Sequence, residues 1–238
     1  MQSGLVDSYI SQGIQVLIIN AVEKDALAPA IRRAEKAGIK VIEIDRTVNA
    51  PVLVTIKAND YDLGYNAGMN LIHVLGGKGN IVEIQGSPAA SPTLDRHRGF
   101  MDALKSAPGI KIIASEHGNY DQAVALQVME DMLQRFPGNQ ITAVFTHADM
   151  MTFGAMQAIR AAGRQGQIKV FSIDGQQMAF DRIAKGTLDA TAVYPVVAPM
   201  DMIAAAKALD NEPMPSFIKL EAPVVTKANV AKFNGTTY

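Results

Sequence analysis

VLIINAVEKDALAPAIRRAEKAGIKVIEIDR, residues 16–46, decides the fold. Residues 16–20 form a continuous apolar run, as expected of a parallel strand covered on both faces. Residues 25–38 predict a helix with Leu27, Ile31 and Ala34 inward and Gly38 as its stop. Residues 41–44 are a second apolar strand, which runs straight into Asp45 and Arg46. A right-handed crossover sets both strand ends on one edge of a sheet, the edge where ligands bind in such folds.

The same alternation continues along the chain. Strands are predicted at 51–56, 80–85, 110–115, 141–146, 168–174 and 188–194, with a last extended piece at 217–226. Helices are predicted at 62–75, 92–106, 121–135, 150–163, 176–185 and 200–209, and the tail NGTTY is expected to fray. At least six strands separated by helices predict an α/β fold with parallel sheets. Leu5, Ile10 and Ile14 give the opening residues the apolar face of a short helix, and no signal peptide is visible there. The stretch NDYD, 59–62, is a plausible boundary between two lobes.

Composition narrows the function. A chain of 238 residues with 48% hydrophobic content has ample core for one large domain or two small ones. A net charge of -1, with no basic patch, argues against nucleic acid as a partner. The absence of cysteine removes thiolate catalysis, disulfides and Cys-ligated zinc. His73, His97, His117 and His147 show no tight ligand spacing, so no metal is expected. His73 reads as a partly buried structural histidine. LGGKGN, 75–80, reads as a turn before a strand, and the methionines at 149–156 read as core.

Polar groups follow most strands: Asn20, Asp45 with Arg46, Gly86 with Ser87, His117 with Tyr120, His147 with Asp149, Asp174 and Tyr194. Any one of them has a bland reading. Asp25 or Asp62 can cap a helix, and Asp174 in DGQQ can simply make a turn. As a set they suit a polyol. A carboxylate accepts from one hydroxyl, a guanidinium donates a rigid fork to others, and an aromatic covers the apolar face of a sugar ring. Asp45 and Asp174 as a glycosidase pair is the weaker reading, because each sits beside an arginine or in a turn that keeps it ionised. No catalytic residue and no cofactor are expected.

The stretches VDSYISQGIQVLIIN, KAGIKVIEIDR, NIVEIQGSPAASPTLDRHRGFMDAL, AVFTHADMMTFGAMQAIRAAG, KVFSIDG and GTLDATAVYP resemble, in order and spacing, the periplasmic sugar-binding proteins of bacterial ABC transporters. The likeness is to the ribose- and galactose-binding type. VEIQGSPAASPTLDRHRGF and THADM resemble the galactofuranose-binding branch in particular. The resemblance implies two α/β lobes of type I, joined by three crossing strands around a cleft that takes a monosaccharide. It places the first lobe at 1–61 and 195–217 and the second at 62–194 and 218–238. Asp45 and Arg46 then match the first-lobe pair that grips hydroxyls. Arg96, Tyr120 and Asp174 match second-lobe ligand residues. Tyr194 falls where members carry glutamine or another polar group. Ala148, after His147, falls where they commonly have a binding asparagine.

The family opens with a strand, a helix and a second strand before the part that aligns here. The resemblance therefore implies a first lobe truncated at its amino terminus, with Met1 as a mis-called start or the domain incomplete. A membrane permease is the implied partner, a monomer the expected state, and the periplasm or cell exterior the expected place. Two alternatives share the fold: the effector-binding core of a lactose-repressor-type regulator, and a chemotaxis component. A third is a truncated copy with impaired binding.

Overall fold

The computed structural model describes residues 2–235, so the end of the tail expected to fray lies outside the described residues. In chain order it begins with α1 (Gln2–Ser11), β1 (Val16–Ile19), α2 (Ala28–Lys36), β2 (Lys40–Ile44) and β3 (Val54–Ala58). The long middle runs through α3 (Asp60–Leu75), β4 (Lys78–Gln85), α4 (Ser91–Leu104), β5 (Gly109–His117), α5 (Gln122–Arg135) and β6 (Ala143–Thr146). It continues with α6 (Asp149–Ala161), β7 (Lys169–Asp174), α7 (Gln177–Ala184) and β8 (Ala190–Val193). The chain closes with α8 (Met200–Leu209), β9 (Phe217–Leu220), β10 (Val224–Thr226) and a 3-10 turn at Val230–Lys232.

These elements make two units. The first holds the residues up to Asn59, Ala89–Ser91 and Val196–Glu221; the second holds Asp60–Pro88, Pro92–Pro195 and the residues from Ala222 on. The expected assignment of 218–221 to the second lobe is corrected. Residues 217–220 pair in parallel with Thr55–Ala58 of β3, so β9 stays in the first unit. The extended piece expected at 217–226 is therefore two strands, each in a different sheet.

The first unit carries the parallel sheet β1-β2-β3-β9. Alternate side chains serve opposite faces. Leu17, Ile19 and Val41 pack with Val6 of α1 and Ile31 and Ala34 of α2. Ile42, Val54 and Ile56 pack instead with Ala204 and Ala208 of α8. Helix α1 buries Val6 and leaves Leu5 outside, contrary to the expected Leu5 face. Helix α2 starts after Leu27 with Pro29 in its first turn, and Gly38 with φ +83 follows its end. The Asp25 side chain does not cap it but accepts from the Asn49 amide at 3.1 Å.

The second unit carries the sheet β10-β8-β7-β6-β4-β5, parallel except for β10, which is antiparallel to β8. Val144 of β6 faces Met129, Met151 and Ile159 of α5 and α6. Its neighbour Phe145 points the other way and stacks on Phe100 of α4, with ring centroids 4.2 Å apart. Helices α3 and α4 touch backbone to backbone. A Cβ on Gly64 would lie 2.0 Å from the Arg96 carbonyl oxygen, and one on Gly99 would lie 2.0 Å from that of Tyr61. Only glycine permits this approach, and it brings the start of α3 beside Arg96.

Three smaller expectations change. His73 is exposed rather than partly buried, because the inward stripe of α3 is Leu63, Gly64, Ala67, Gly68 and Leu71, and residue 73 falls on the opposite side. Of LGGKGN, only Gly76 and Gly77 are turn; Lys78 already opens β4. Among the methionines, Met151 is core as expected while Met150 faces solvent.

Candidate functional site

In the second unit, Arg96 is the centre of the strand-end groups. Only 4% of it is exposed. Its Nε donates to Asp60 Oδ1 at 2.8 Å and its Nη1 to the His147 carbonyl oxygen at 2.5 Å. Nη1 also lies 3.7 Å from Asp174 Oδ1, and the guanidinium lies 5.5 Å from the centroid of the Tyr194 ring. Burial by itself would lower the pKa of Arg96. Electrostatic interaction with Asp60, then with Tyr120 and Asp174, outweighs it and holds the group above its ordinary value. Arg96 is thus a fixed cation whose planar fork is already oriented.

Asp174 ends β7 with φ +128, and its Oδ2 accepts from the Asp149 backbone N–H at 3.2 Å. Tyr120 has φ +61, and its hydroxyl shares a 2.9 Å hydrogen bond with Thr93 Oγ1. Its ring lies flush on Gly86, where a Cβ would come within 2.0 Å of Tyr120 Cζ. Arg96, Asp174 and Tyr194 are therefore in direct mutual reach, and Tyr120 is felt electrostatically by Arg96. Ala148 is buried at the start of α6 and offers no side-chain polar group.

The expected ligand role of the His147 side chain is corrected. The ring is fully enclosed, and its Nε2 meets Glu83 Oε1 at 3.0 Å. A carboxylate only accepts, so Nε2 carries the proton. What His147 offers the site is its carbonyl, the acceptor for Arg96. Glu83, in the middle of β4, also accepts from Ser115 Oγ at 2.6 Å, Gln85 Nε2 at 3.1 Å and His97 Nδ1 at 3.0 Å. Burial pushes its pKa up, but these donors outweigh burial and hold it below the usual carboxylate range. The hydrogen bond to Glu83 raises the pKa of His97, whereas burial lowers that of His147 despite the same partner.

The first unit presents Asp45 and Arg46 in the turn after β2. Asp45 has φ +59 and accepts from Asn20 Nδ2, at the end of β1, at 2.9 Å. Arg46 is half-buried. The turn is braced from within by Glu43, which accepts from the Val48 backbone N–H and from Thr55 Oγ1, the latter at 2.8 Å. Burial raises the pKa of Glu43, and those two hydrogen bonds pull the other way. Ser91 Oγ accepts from the Thr47 backbone N–H at 2.9 Å and holds the next residue of the turn.

Sequence reasoning missed the residues that hold the site groups. Asp60, Glu43, Glu83 and Thr93 are all buried; Asp60, Glu83 and Thr93 bond to a named site residue, and Glu43 braces the turn that carries Asp45 and Arg46. The signal for two of them was present: a glutamate inside each of the apolar runs VIEI and NIVEIQ. Such a residue must find hydrogen-bond partners when its strand is buried.

Comparisons with known proteins bear on the fold and the family. The D-apiose import binding protein of Paraburkholderia graminis is 30% identical over 244 aligned positions, which cover 98% of this chain and 76% of that protein. The galactofuranose-binding protein YtfQ of Escherichia coli is 34% identical over 194 positions, 78% of this chain and 61% of its own length. A solved structure from Shewanella sp. ANA-3 is the periplasmic binding protein of an arabinose ABC transporter bound to L-arabinofuranose. It superposes with a TM-score of 0.91 at 29% identity, covering 99% of this chain and 80% of that one. The chain thus spans between about three-fifths and four-fifths of these relatives. Residues 1–210 match the family described as periplasmic binding protein domain. Its two-unit α/β architecture and its largely parallel sheets are those of that family, and the chain belongs to it.

Proposed function

We propose that the chain binds a monosaccharide or related small polyol without altering it chemically, and delivers it in the periplasm to the permease of an ABC transporter. The observation that carries this is the buried Arg96 fork beside Asp174 and Tyr194, a preformed cation and carboxylate next to aromatic rings. That combination accepts from and donates to neighbouring hydroxyls while covering a ring face. Asp45 and Arg46 supply a second such pair from the first unit. The relatives' names support a sugar ligand: apiose, galactofuranose and arabinofuranose are all small and rich in hydroxyls. Ala148 lacks the amide expected there, so the ligand is read by charged groups and rings rather than by a side-chain amide at that position.

Isothermal titration of a panel of pentoses and hexoses tests the proposal, with the sugar recovered unchanged afterwards. Asp174→Ala is expected to cost at least about 2 kcal/mol of affinity, roughly thirtyfold in Kd, through loss of charge-assisted hydrogen bonds. A change smaller than about tenfold removes Asp174 from the ligand contacts.

A further inference from the structure

We propose that Asp149 is the positioning residue for Asp174, and that proton uptake by the Asp149 carboxyl loosens the Asp174 turn and weakens sugar binding. The inference rests on the reading of Asp174 as a ligand residue.

Asp149 opens α6 and is completely buried. It grips the turn after β7 at successive residues. Its backbone N–H donates to Asp174 Oδ2 at 3.2 Å, and its Oδ2 accepts from the Gln176 backbone N–H at 2.7 Å. The Gly175 backbone donates to the same carboxylate. Its Oδ1 accepts from Ser172 Oγ of β7 and, at 3.1 Å, from Thr191 Oγ1 of β8, so the grip is anchored to two strands.

The turn needs holding. Asp174 at φ +128 and Gly175 at φ +80 are both in the positive region. A non-glycine residue there is strained by about 1–3 kcal/mol and persists only where its surroundings over-determine it. Asp149 supplies that constraint, and every group hydrogen-bonded to its carboxylate is a neutral donor.

Two charged groups face it directly, Asp174 at the end of β7 and Arg182 on α7, while Arg96 on α4 stands one step away against Asp174. Burial prevails over the hydrogen bonds, and the Asp149 pKa is pushed up to about 6. A protonated Asp149 presents an O–H toward partners that are themselves donors. Ser172 already accepts from Thr152 Oγ1 at 2.7 Å, which limits its freedom to reverse. Protonation therefore weakens the hold on the 174–176 turn.

The sign of the linkage gives the device a signature. A carboxyl whose folded pKa is raised is favoured by folding when protonated. Its contribution to stability is full below the unfolded value of 3.8 and is lost as pH rises through about 6. Affinity runs the opposite way, strongest above about pH 6.

The test uses the whole chain, with D-galactose and L-arabinose as probes, and Asp149→Asn alongside wild type. The sugar that binds should do so about tenfold more weakly at pH 5 than at pH 7.5 in wild type, and about equally in Asp149→Asn. Independently of sugar, the Gln176 amide resonance should titrate near pH 6 in wild type and stay still in Asp149→Asn. Should that variant not fold, Thr191→Val removes one stabilising hydrogen bond and should move the midpoint upward. A Gln176 amide that does not move, or a midpoint that ignores Thr191→Val, overturns the positioning role. A wild-type affinity flat across this range overturns the pH coupling. Failure of both sugars to bind at any pH overturns the sugar reading, while the Gln176 amide still decides whether Asp149 holds the turn.

Discussion

Asp45 and Asp174 each follow a parallel strand at positive φ, and each turn is braced by a buried carboxylate, yet the braces come from different places. In the first unit Glu43 stands two residues ahead of Asp45 on the same strand and accepts the Val48 amide. In the second unit Asp149 belongs to the helix after the neighbouring strand and ties β7, β8 and the turn together. The first brace is the more local, made within residues 43–55 and reaching only the adjacent strand β3. The second is tertiary and shares its surroundings with Arg96. The local brace holds few groups; the tertiary one is coupled to everything it holds.

Removing the central cation should break this contrast most sharply. Arg96→Ala leaves Asp60 and Asp174 without their cation in a buried setting. It is expected to destabilise by about 3–5 kcal/mol in a denaturant titration. A loss below about 1 kcal/mol would mean that the second unit is no more coupled than the first.

The local brace should come next. Glu43→Ala deprives the Val48 amide and the Thr55 hydroxyl of their acceptor and should cost about 2 kcal/mol. Glu43→Gln keeps an acceptor and should cost much less. The pKa of Glu43 is raised from 4.5, so its contribution is full below that value and is lost as pH rises through the folded pKa. Glu43→Gln should abolish that loss. Equal pH slopes for wild type and Glu43→Gln, in melts on the acid side of neutrality, would contradict the role of burial.

His97→Gln should act more weakly, since the ring is partly exposed and Glu83 keeps its other donors. The folded pKa of His97 is raised above 6.5, so its contribution is complete below that value and fades as pH rises through the folded value. The wild-type advantage should be larger at about pH 5.5 than at about pH 8.5, as read by paired melts. The smallest effect belongs to the first unit's surface. Asp7 and Arg33 pair at 2.8 Å with about half of each side chain exposed, and Asp7→Ala should cost under about 1 kcal/mol.

The same contrast explains how much could be read before the structure. The strand–helix–strand of 16–46 was legible because buried parallel strands are apolar throughout and the helix carries its own stop at Gly38. Asp45, Arg46 and Asp174 were legible because a charge at the end of such a run is conspicuous. Tyr120 was legible as an aromatic just past a strand, whereas Arg96 lies off the strands and its reading came from resemblance to a family. Asp60 was not legible as the partner of Arg96, because it is brought there by a helix contact that two glycines allow. His147 looked like one more strand-end polar group. Only the position of Glu83 on the adjacent strand shows that its ring turns inward. The division of 217–226 into two strands was equally hidden, since both halves have the same apolar character and only their partners differ.

That division has a consequence for how the protein is made. β9 pairs with β3 and completes the sheet begun by β1, but nearly the whole second unit is encoded between β3 and β9. Translation adds roughly 5–20 residues per second, so the two partners emerge on the order of ten to thirty seconds apart. Throughout that interval β3 waits at the margin of an unfinished sheet while the second unit assembles from the chain still arriving. Biogenesis thus favours an order opposite to that of the gene: the half that starts first is the half that finishes late.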